Sequence, residues 1–287
     1  MVRSLFVNAA KPLLHISYQG VAGANSELAC LQFRADAAPV GYHSFKEAFA
    51  AALAGDCHYA CLPVENSLAG SINQTYDLLT DSVLHVVGEE IVRVHHNLMV
   101  QPGTKLEDIE RVYSHPQALL QSQAFITSHG FEAVSDFDTA GAAKLLSENG
   151  GEGRAALATK RAAEIYGLEI LAENVEDAPF NYTRFFILGP DEAPKTAEKN
   201  KSSLVLATRH RPGDLVACLQ ELHGLNMTKL ESRPRRDKPW SYLFYVDIEG
   251  HIEDENVQKA MTGLMRKAAF VKFLGSYPAA STVIELG

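Results

Sequence analysis

Several short polar clusters in this chain follow apolar runs, and their residue types suit proton transfer and the holding of an anion. After Leu62, Pro63 and Val64 come Glu65, Asn66 and Ser67, with Ser71 beyond Gly70. A carboxylate, an amide and hydroxyls in one loop can exchange a proton and orient a polar ligand; capping of the next helix is the plainer use. Ser114 opens Ser-His-Pro-Gln, and Gln121 lies two helical turns further on, on nearly the same face. There the alternative is a cap with a surface His115. Thr183 and Arg184 follow Asn181 and precede an apolar run from Phe185 to Leu188. A guanidinium fork beside such a run binds a carboxylate in two places, either a ligand's or an internal Asp or Glu.

Three further segments carry weaker signals. Gly20 and Gly23 would let the backbone approach an anion at a helix N-terminus, or simply form a tight turn. Asp138 and Thr139 open a helix, where a cap is the simpler role. Lys160 and Arg161 stand in a first helical turn, against the helix dipole, and are read as exposed. There is no Gly-x-x-x-x-Gly-Lys loop, Gly-x-Ser-x-Gly elbow or His-Glu-x-x-His pair, and Cys57, His58 and Cys61 lack zinc-ligand spacing. His95 and His96 fall in an apolar stretch and read as structural. What remains is a cofactor-free cleft of hydroxyls, amides, a carboxylate and an arginine, suited to a small anion.

Such loops converge only if a sheet presents them. Strands are expected at 14–18, 59–64, 111–113, 155–158, 168–171 and 185–188. Helices are expected at 45–53, 71–79 and 116–128, and beginning near 139 and 160. Ser44 and Glu47 form a capping box, with Gly55 as the stop; Thr159 caps a helix that Gly167 ends. This alternation predicts an α/β unit with a largely parallel sheet, whose ligands bind beyond the strand ends. Residues 190–202 read PDEAPKTAEKNKS, a linker composition. After them, strands at 203–208, 226–232, 241–248 and 270–277 with helices at 214–223 and around 257–265 give the βαββαβ ferredoxin-like plan.

The whole composition narrows the classes. A chain of 287 residues predicts two domains, and 46% hydrophobic with 21% charged residues is an ordinary globular mix. A net charge of −9 argues against a nucleic-acid partner. No apolar run approaches the roughly 18 residues of a membrane span, and residues 1–12 lack a signal-like apolar core. Four scattered cysteines (Cys30, Cys57, Cys61 and Cys218) read as reduced, buried thiols, which predicts a cytoplasmic setting.

Taken in order, the motifs resemble the prephenate dehydratase family, with its plant-type arogenate dehydratases. They are Tyr-Gln-Gly-x-x-Gly-Ala at 18–24, Leu-Pro-Val-Glu-Asn-Ser-Leu-x-Gly-Ser at 62–71 and Tyr-Asp-Leu-Leu at 76–79. Ser-His-Pro-Gln-Ala-Leu at 114–119, Asp-Thr-Ala-Gly-Ala-Ala-Lys at 138–144 and Asn-x-Thr-Arg-Phe at 181–185 follow. Thr-Lys-Leu-Glu-Ser-Arg-Pro at 228–234 resembles the signature of an ACT regulatory domain.

The resemblance implies a catalytic domain at 13–189, folded like a type II periplasmic binding protein in two α/β lobes with a cleft between them. The stretch 91–100 would be one crossing, 190–202 the linker and 203–279 the α+β ACT domain. It implies decarboxylating dehydration of prephenate to phenylpyruvate without a cofactor or metal. The alternatives are the same chemistry on arogenate or, in another class, an amino-acid-sensing binding protein. Thr183 would hydrogen-bond or protonate the departing hydroxyl, with Glu65 or His115 as further proton sources. Arg184 would hold a substrate carboxylate, while Asn66, Ser67, Ser114, Gln121, Thr139 and Phe185 line or position the ring.

Phenylalanine would act as feedback inhibitor at a subunit interface of a homodimer or homotetramer. Gly213 and Leu215 would contact it from one segment, and Asn226, Glu231, Ser232, Arg233 and Pro234 from the next strand. Three positions depart from the family pattern: Val21, Asn25 and Asp214.

Overall fold

Apolar runs too short for helices become strands, and Ala-rich amphipathic stretches become the helices that cover them. The computed structural model describes residues 13–209, 211–235 and 238–280; the N-terminal segment read for a leader lies outside these. The first stretch comprises β1 (Leu14–Gln19), α1 (Asn25–Phe33), β2 (Ala37–Tyr42), α2 (Phe45–Ala54) and β3 (Tyr59–Asn66). A short β4 (Gly70–Ser71), α3 (Asn73–Thr80) and β5 (His85–Arg93) complete it. The chain then crosses to β6 (Asn97–Val100), β7 (Arg111–Ser114), α4 (Pro116–Gln121), α5 (Gln123–His129) and β8 (Glu132–Ser135). It continues through α6 (Thr139–Asn149), β9 (Arg154–Ala158), α7 (Lys160–Tyr166) and β10 (Glu169–Ala172), then returns as β11 (Tyr182–Gly189).

Two sheets result, ordered β2-β1-β3-β11-β5 and β10-β6-β9-β7-β8, and residues 94–96 and 173–181 run between them. Both are mixed, which corrects the expectation of largely parallel pairing. The cause is the double crossing: β11 comes back antiparallel to β3 and β5, and β6 enters antiparallel to β9 and β10. The expected helix at 116–128 is two helices, because the backbone at Ser122 leaves helical geometry. Caps follow the sequence more closely. Ser44, Asp138 and Thr159 accept the amides of Glu47, Gly141 and Ala162, and Gly55 and Gly167 end their helices in the left-handed region.

The third unit comprises β12 (Asn200–Ala207), α8 (Asp214–Glu221), β13 (Met227–Pro234), β14 (Tyr242–Glu249), α9 (Glu255–Lys267) and β15 (Phe270–Pro278). Its antiparallel sheet is ordered β13-β14-β12-β15, with Leu204, Leu206, Val246 and Ile248 buried against α8 and α9. The other face packs on the first sheet. Val205, Tyr245, Leu274 and Tyr277 share one buried cluster with Phe49, Leu62, Leu79, Phe186 and Leu188. Gly275 lets β15 come this close, since a Cβ there would stand 2.2 Å from the Val86 carbonyl oxygen.

Lys272 adds a polar latch by donating to the carbonyls of Leu79, Thr80 and Ser82, at and just beyond the C-terminus of α3. Among the described residues no helix is long and apolar enough to cross a membrane. All four cysteines are free and buried.

Candidate active site

Strands β3 and β11 pair with Asn66 opposite Thr183 and Glu65 opposite Arg184. Side chains alternate along a strand, so each pair faces its own side of the sheet. Asn66 and Thr183 face the crossing segments. Asn66 Oδ1 accepts the backbone amides of Leu68 and Ala69 at 3.1 and 2.9 Å, which leaves Nδ2 as the donor on its other side. That nitrogen donates to Thr183 Oγ1 at 3.1 Å and to Asn181 Oδ1 at 2.8 Å. Asn181 Nδ2 in turn donates to Gln121 Oε1 at 2.9 Å, tying α4 of the second lobe to the crossing segment that leads into β11 of the first. The Thr183 oxygen is thus supplied with a hydrogen bond, and its own proton can turn to a bound molecule.

Glu65 and Arg184 face the third unit, which overturns two sequence expectations. Glu65 reaches Lys229 at 3.0 Å and Arg184 at 3.8 Å, on the wrong side of the strand to supply a proton near Thr183. The Arg184 guanidinium binds Glu89 at 2.6 Å, Asp247 at 2.5 Å and the Tyr277 hydroxyl at 3.0 Å. Its partners are internal carboxylates, so no nitrogen is left aimed at a substrate. Burial disfavours the charged guanidinium, yet Asp247, Tyr277 and Glu89 outweigh it and hold Arg184 firmly protonated. Burial also works against ionised Glu89, but Arg184 and Lys201 keep its carboxyl below the usual range.

Other expected site residues are also spoken for. Phe185 is core, packed with Ile16, Tyr18 and Ile187. The Ser67 hydroxyl donates to Phe180 O at 2.8 Å and accepts Tyr182 N at 2.9 Å, tying the β3 loop to the second crossing. Ser114 ends β7 rather than lying on a helix with Gln121, and its buried hydroxyl donates to Leu157 O at 2.7 Å. His115 caps α4, its Nδ1 accepting Gln117 N, and burial lowers its pKa although Asp138 pulls the other way. A neutral imidazole is a weak proton source. Thr139 opens α6 half-buried, behind the Asp138 cap.

The glycine loop closes the two lobes. Gly23, at φ +90°, has Ala162 so near that a Cβ would lie 2.7 Å from its Cα. The Thr159 hydroxyl donates to Gly23 O at 2.5 Å, and Gly23 N donates to Glu27 Oε2 at 2.6 Å. Glu27, from the chain itself, takes the Gly23 amide that one of the two sequence readings would have offered to an external anion. Arg161 grips that carboxylate with two nitrogens at 2.8 and 3.1 Å, and so is not simply exposed.

The seven expected effector residues separate across the third sheet. Gly213 and Leu215 line a cavity of about 440 Å³ with Tyr242 and Phe244. Arg233 and Pro234 line one of about 490 Å³ on the opposite face, with Asp77, Leu243 and Tyr245. Arg233 is held there by Asp77 at 2.9 Å, and Glu231 binds Ser71 and Lys229. Both therefore face the first lobe. Ser232 is exposed on β13, the Asn226 carbonyl accepts Glu249 N, and Asp214 accepts the amide of Arg211.

Sequence reasoning missed Asn181, although it stood in a recognised motif, because Thr183 and Arg184 drew the chemical argument. It also missed Glu89 and Asp247, which no local pattern marks, and Lys229, which stood in the 228–234 motif without a role; only the docking of the third sheet brings them together.

Residues 16–193 match the family model for prephenate dehydratase. An Arabidopsis thaliana protein named arogenate dehydratase/prephenate dehydratase 1, chloroplastic, is 40% identical over 282 residues, covering 92% of this chain and 72% of its own. The solved Arthrobacter aurescens prephenate dehydratase in complex with L-Phe has a TM-score of 0.84 at 30% identity, covering 92% of this chain and 89% of that one. A solved quorum-quenching acylase superposes with a TM-score of 0.86 at 38% identity, covering 93% and 98% of the two chains.

Proposed function

Since the chain belongs to the prephenate dehydratase family, we propose that it converts prephenate to phenylpyruvate. The bond to the ring carboxylate breaks and releases carbon dioxide. Its electron pair enters the ring, and the hydroxyl on the opposite carbon departs with a proton as water. Aromatisation drives the step, so the protein need only orient the molecule and assist the departing hydroxyl.

The observation that carries this reading is the Thr183 hydroxyl, its oxygen fixed by Asn66 at the junction of the two lobes. An O–H so held donates to the departing oxygen, and water replaces the proton. Gln121, whose carbonyl is taken by Asn181, keeps its amide N–H groups for the ring substituents. His115 stands at the N-terminus of α4, where the helix dipole favours an anion such as a substrate carboxylate, whereas the Asp138 carboxylate already takes that place on α6 beside Thr139.

The same elimination on arogenate yields phenylalanine, and the Arabidopsis relative is named for both substrates. Turnover of each by the purified protein tests the reading. Product from prephenate supports it, product from arogenate alone reassigns the substrate, and product from neither removes the catalytic claim.

The third unit is proposed to be an ACT domain that lowers activity when phenylalanine binds near Gly213 and Leu215, in a homodimer or larger assembly. The L-Phe complex of the Arthrobacter protein supports this. So does the edge position of β13, which leaves Met227 and Leu230 exposed.

A further inference from the structure

One buried group beside the site has no part in the chemistry above. His96 is 3% exposed and lies on the first crossing segment, with Nε2 3.0 Å from Gln121 Oε1. We propose that His96 is a positioning residue for the elimination: as a neutral imidazole with its proton on Nε2, it locks Gln121 and, through Asn181 and Asn66, the Thr183 hydroxyl. The role presupposes the reaction proposed above; the protonation pattern does not.

The direction of every bond in the chain follows from its fixed end. Backbone amides only donate, so the contacts of Leu68 and Ala69 make the facing atom of Asn66 its oxygen. Asn66 Nδ2 then donates to Asn181 Oδ1, which turns Asn181 Nδ2 onto Gln121 Oε1. A carbonyl oxygen accepts and cannot donate, so the histidine nitrogen facing it must carry the hydrogen. Burial pushes the imidazole towards its neutral form, with Gln121 and Glu176 opposing and His95 assisting.

The backbone around the ring is equally fixed. His96 N donates to Glu176 Oε2 at 2.9 Å, His96 O accepts Val175 N at 2.8 Å, and His95 Nδ1 meets Glu176 Oε1 at 2.9 Å. The two crossing segments therefore join at the residue that orients Gln121. Without the ring, Gln121 can rotate and turn its NH2 towards Asn181 Nδ2. Two donors then face each other, and Asn181, Asn66 and Thr183 lose their common setting.

The test compares His96→Leu with His96→Gln, whose amide nitrogen can reach the Nε2 position. His96→Leu is expected to lower kcat on prephenate by about 10- to 100-fold, the scale for a misplaced catalytic group. KM should rise by a smaller factor than kcat falls, because Gln121 loses a ground-state contact while Thr183 loses its setting for the transition state. His96→Gln should recover most of the loss. Wild-type kcat in His96→Leu, or no recovery in folded His96→Gln, overturns the role. Nitrogen-15 shifts of His96 in the unliganded wild type should report hydrogen on Nε2 through neutral pH, and an Nε2 without hydrogen overturns the chain. That spectrum needs no turnover, so it decides the chain even if wild type fails on both substrates, a failure that would instead overturn the reaction.

Discussion

Thr183 and Arg184 are neighbours with opposite duties, separated by one step of strand alternation. The sequence placed both at a strand end beside apolar residues, and that much was legible. Which face each would take was not, because the partners of Arg184 come from β5, β14 and β15, up to 95 residues away. The Arg184→Leu variant would leave Glu89 and Asp247 buried beside an apolar side chain, a change that costs about 3–5 kcal/mol when one member of a buried pair is removed. We expect a lower denaturation midpoint, rather than the raised KM that a substrate-binding arginine would show.

Glu89 makes the same network pH-sensitive. Above about pH 4.3, the value for a free glutamate, folded and unfolded chains both hold it ionised and its stabilisation is complete. Below that pH the unfolded chain takes up the proton first, so stability falls as pH drops towards the lowered native pKa. Melting curves between about pH 6 and pH 3.5 should show a shallower decline for Glu89→Gln than for wild type.

Among elements, the loop between β1 and α1 best separates what pattern can and cannot tell. Its two glycines were visible, and so was the choice between an anion site and a turn. The structure gives Gly23 a third reason, close contact with α7 of the other lobe, which local sequence does not encode. A Gly23→Ala change meets both a left-handed backbone and the Ala162 main chain, and should destabilise by about 1–3 kcal/mol. Because that contact joins the lobes, it should also raise KM for prephenate; an unchanged melting temperature and KM would show that the lobes do not need it. Helix caps were read correctly at Ser44, Asp138 and Thr159 because capping is decided within four residues. Sheet direction was misread because it depends on where a returning strand enters.

At the scale of the molecule, the segment read as a linker leads to a unit that is firmly seated. An apolar cluster, the Lys272 latch and the ion pairs of Arg184, Lys229 and Arg233 all cross the same boundary. β14 carries Tyr242 and Phe244 on the face of the proposed phenylalanine cavity, and Tyr245 and Asp247 on the face of the first lobe. An effector on one face therefore has a short route to the residue beside Thr183. Asp247→Asn weakens that route without touching either cavity. It should reduce the inhibition of turnover by phenylalanine, and inhibition identical to wild type would break the connection.

The central claim is that the hydroxyl of Thr183 assists the loss of the ring hydroxyl. It is tested most directly by phenylpyruvate formation from prephenate in wild type, Thr183→Val and Thr183→Ser. Valine keeps the shape and removes the hydroxyl, so kcat should fall by about 100-fold or more, within the range for loss of a positioned proton donor. Serine should retain a substantial part. Turnover in folded Thr183→Val equal to wild type would contradict the account.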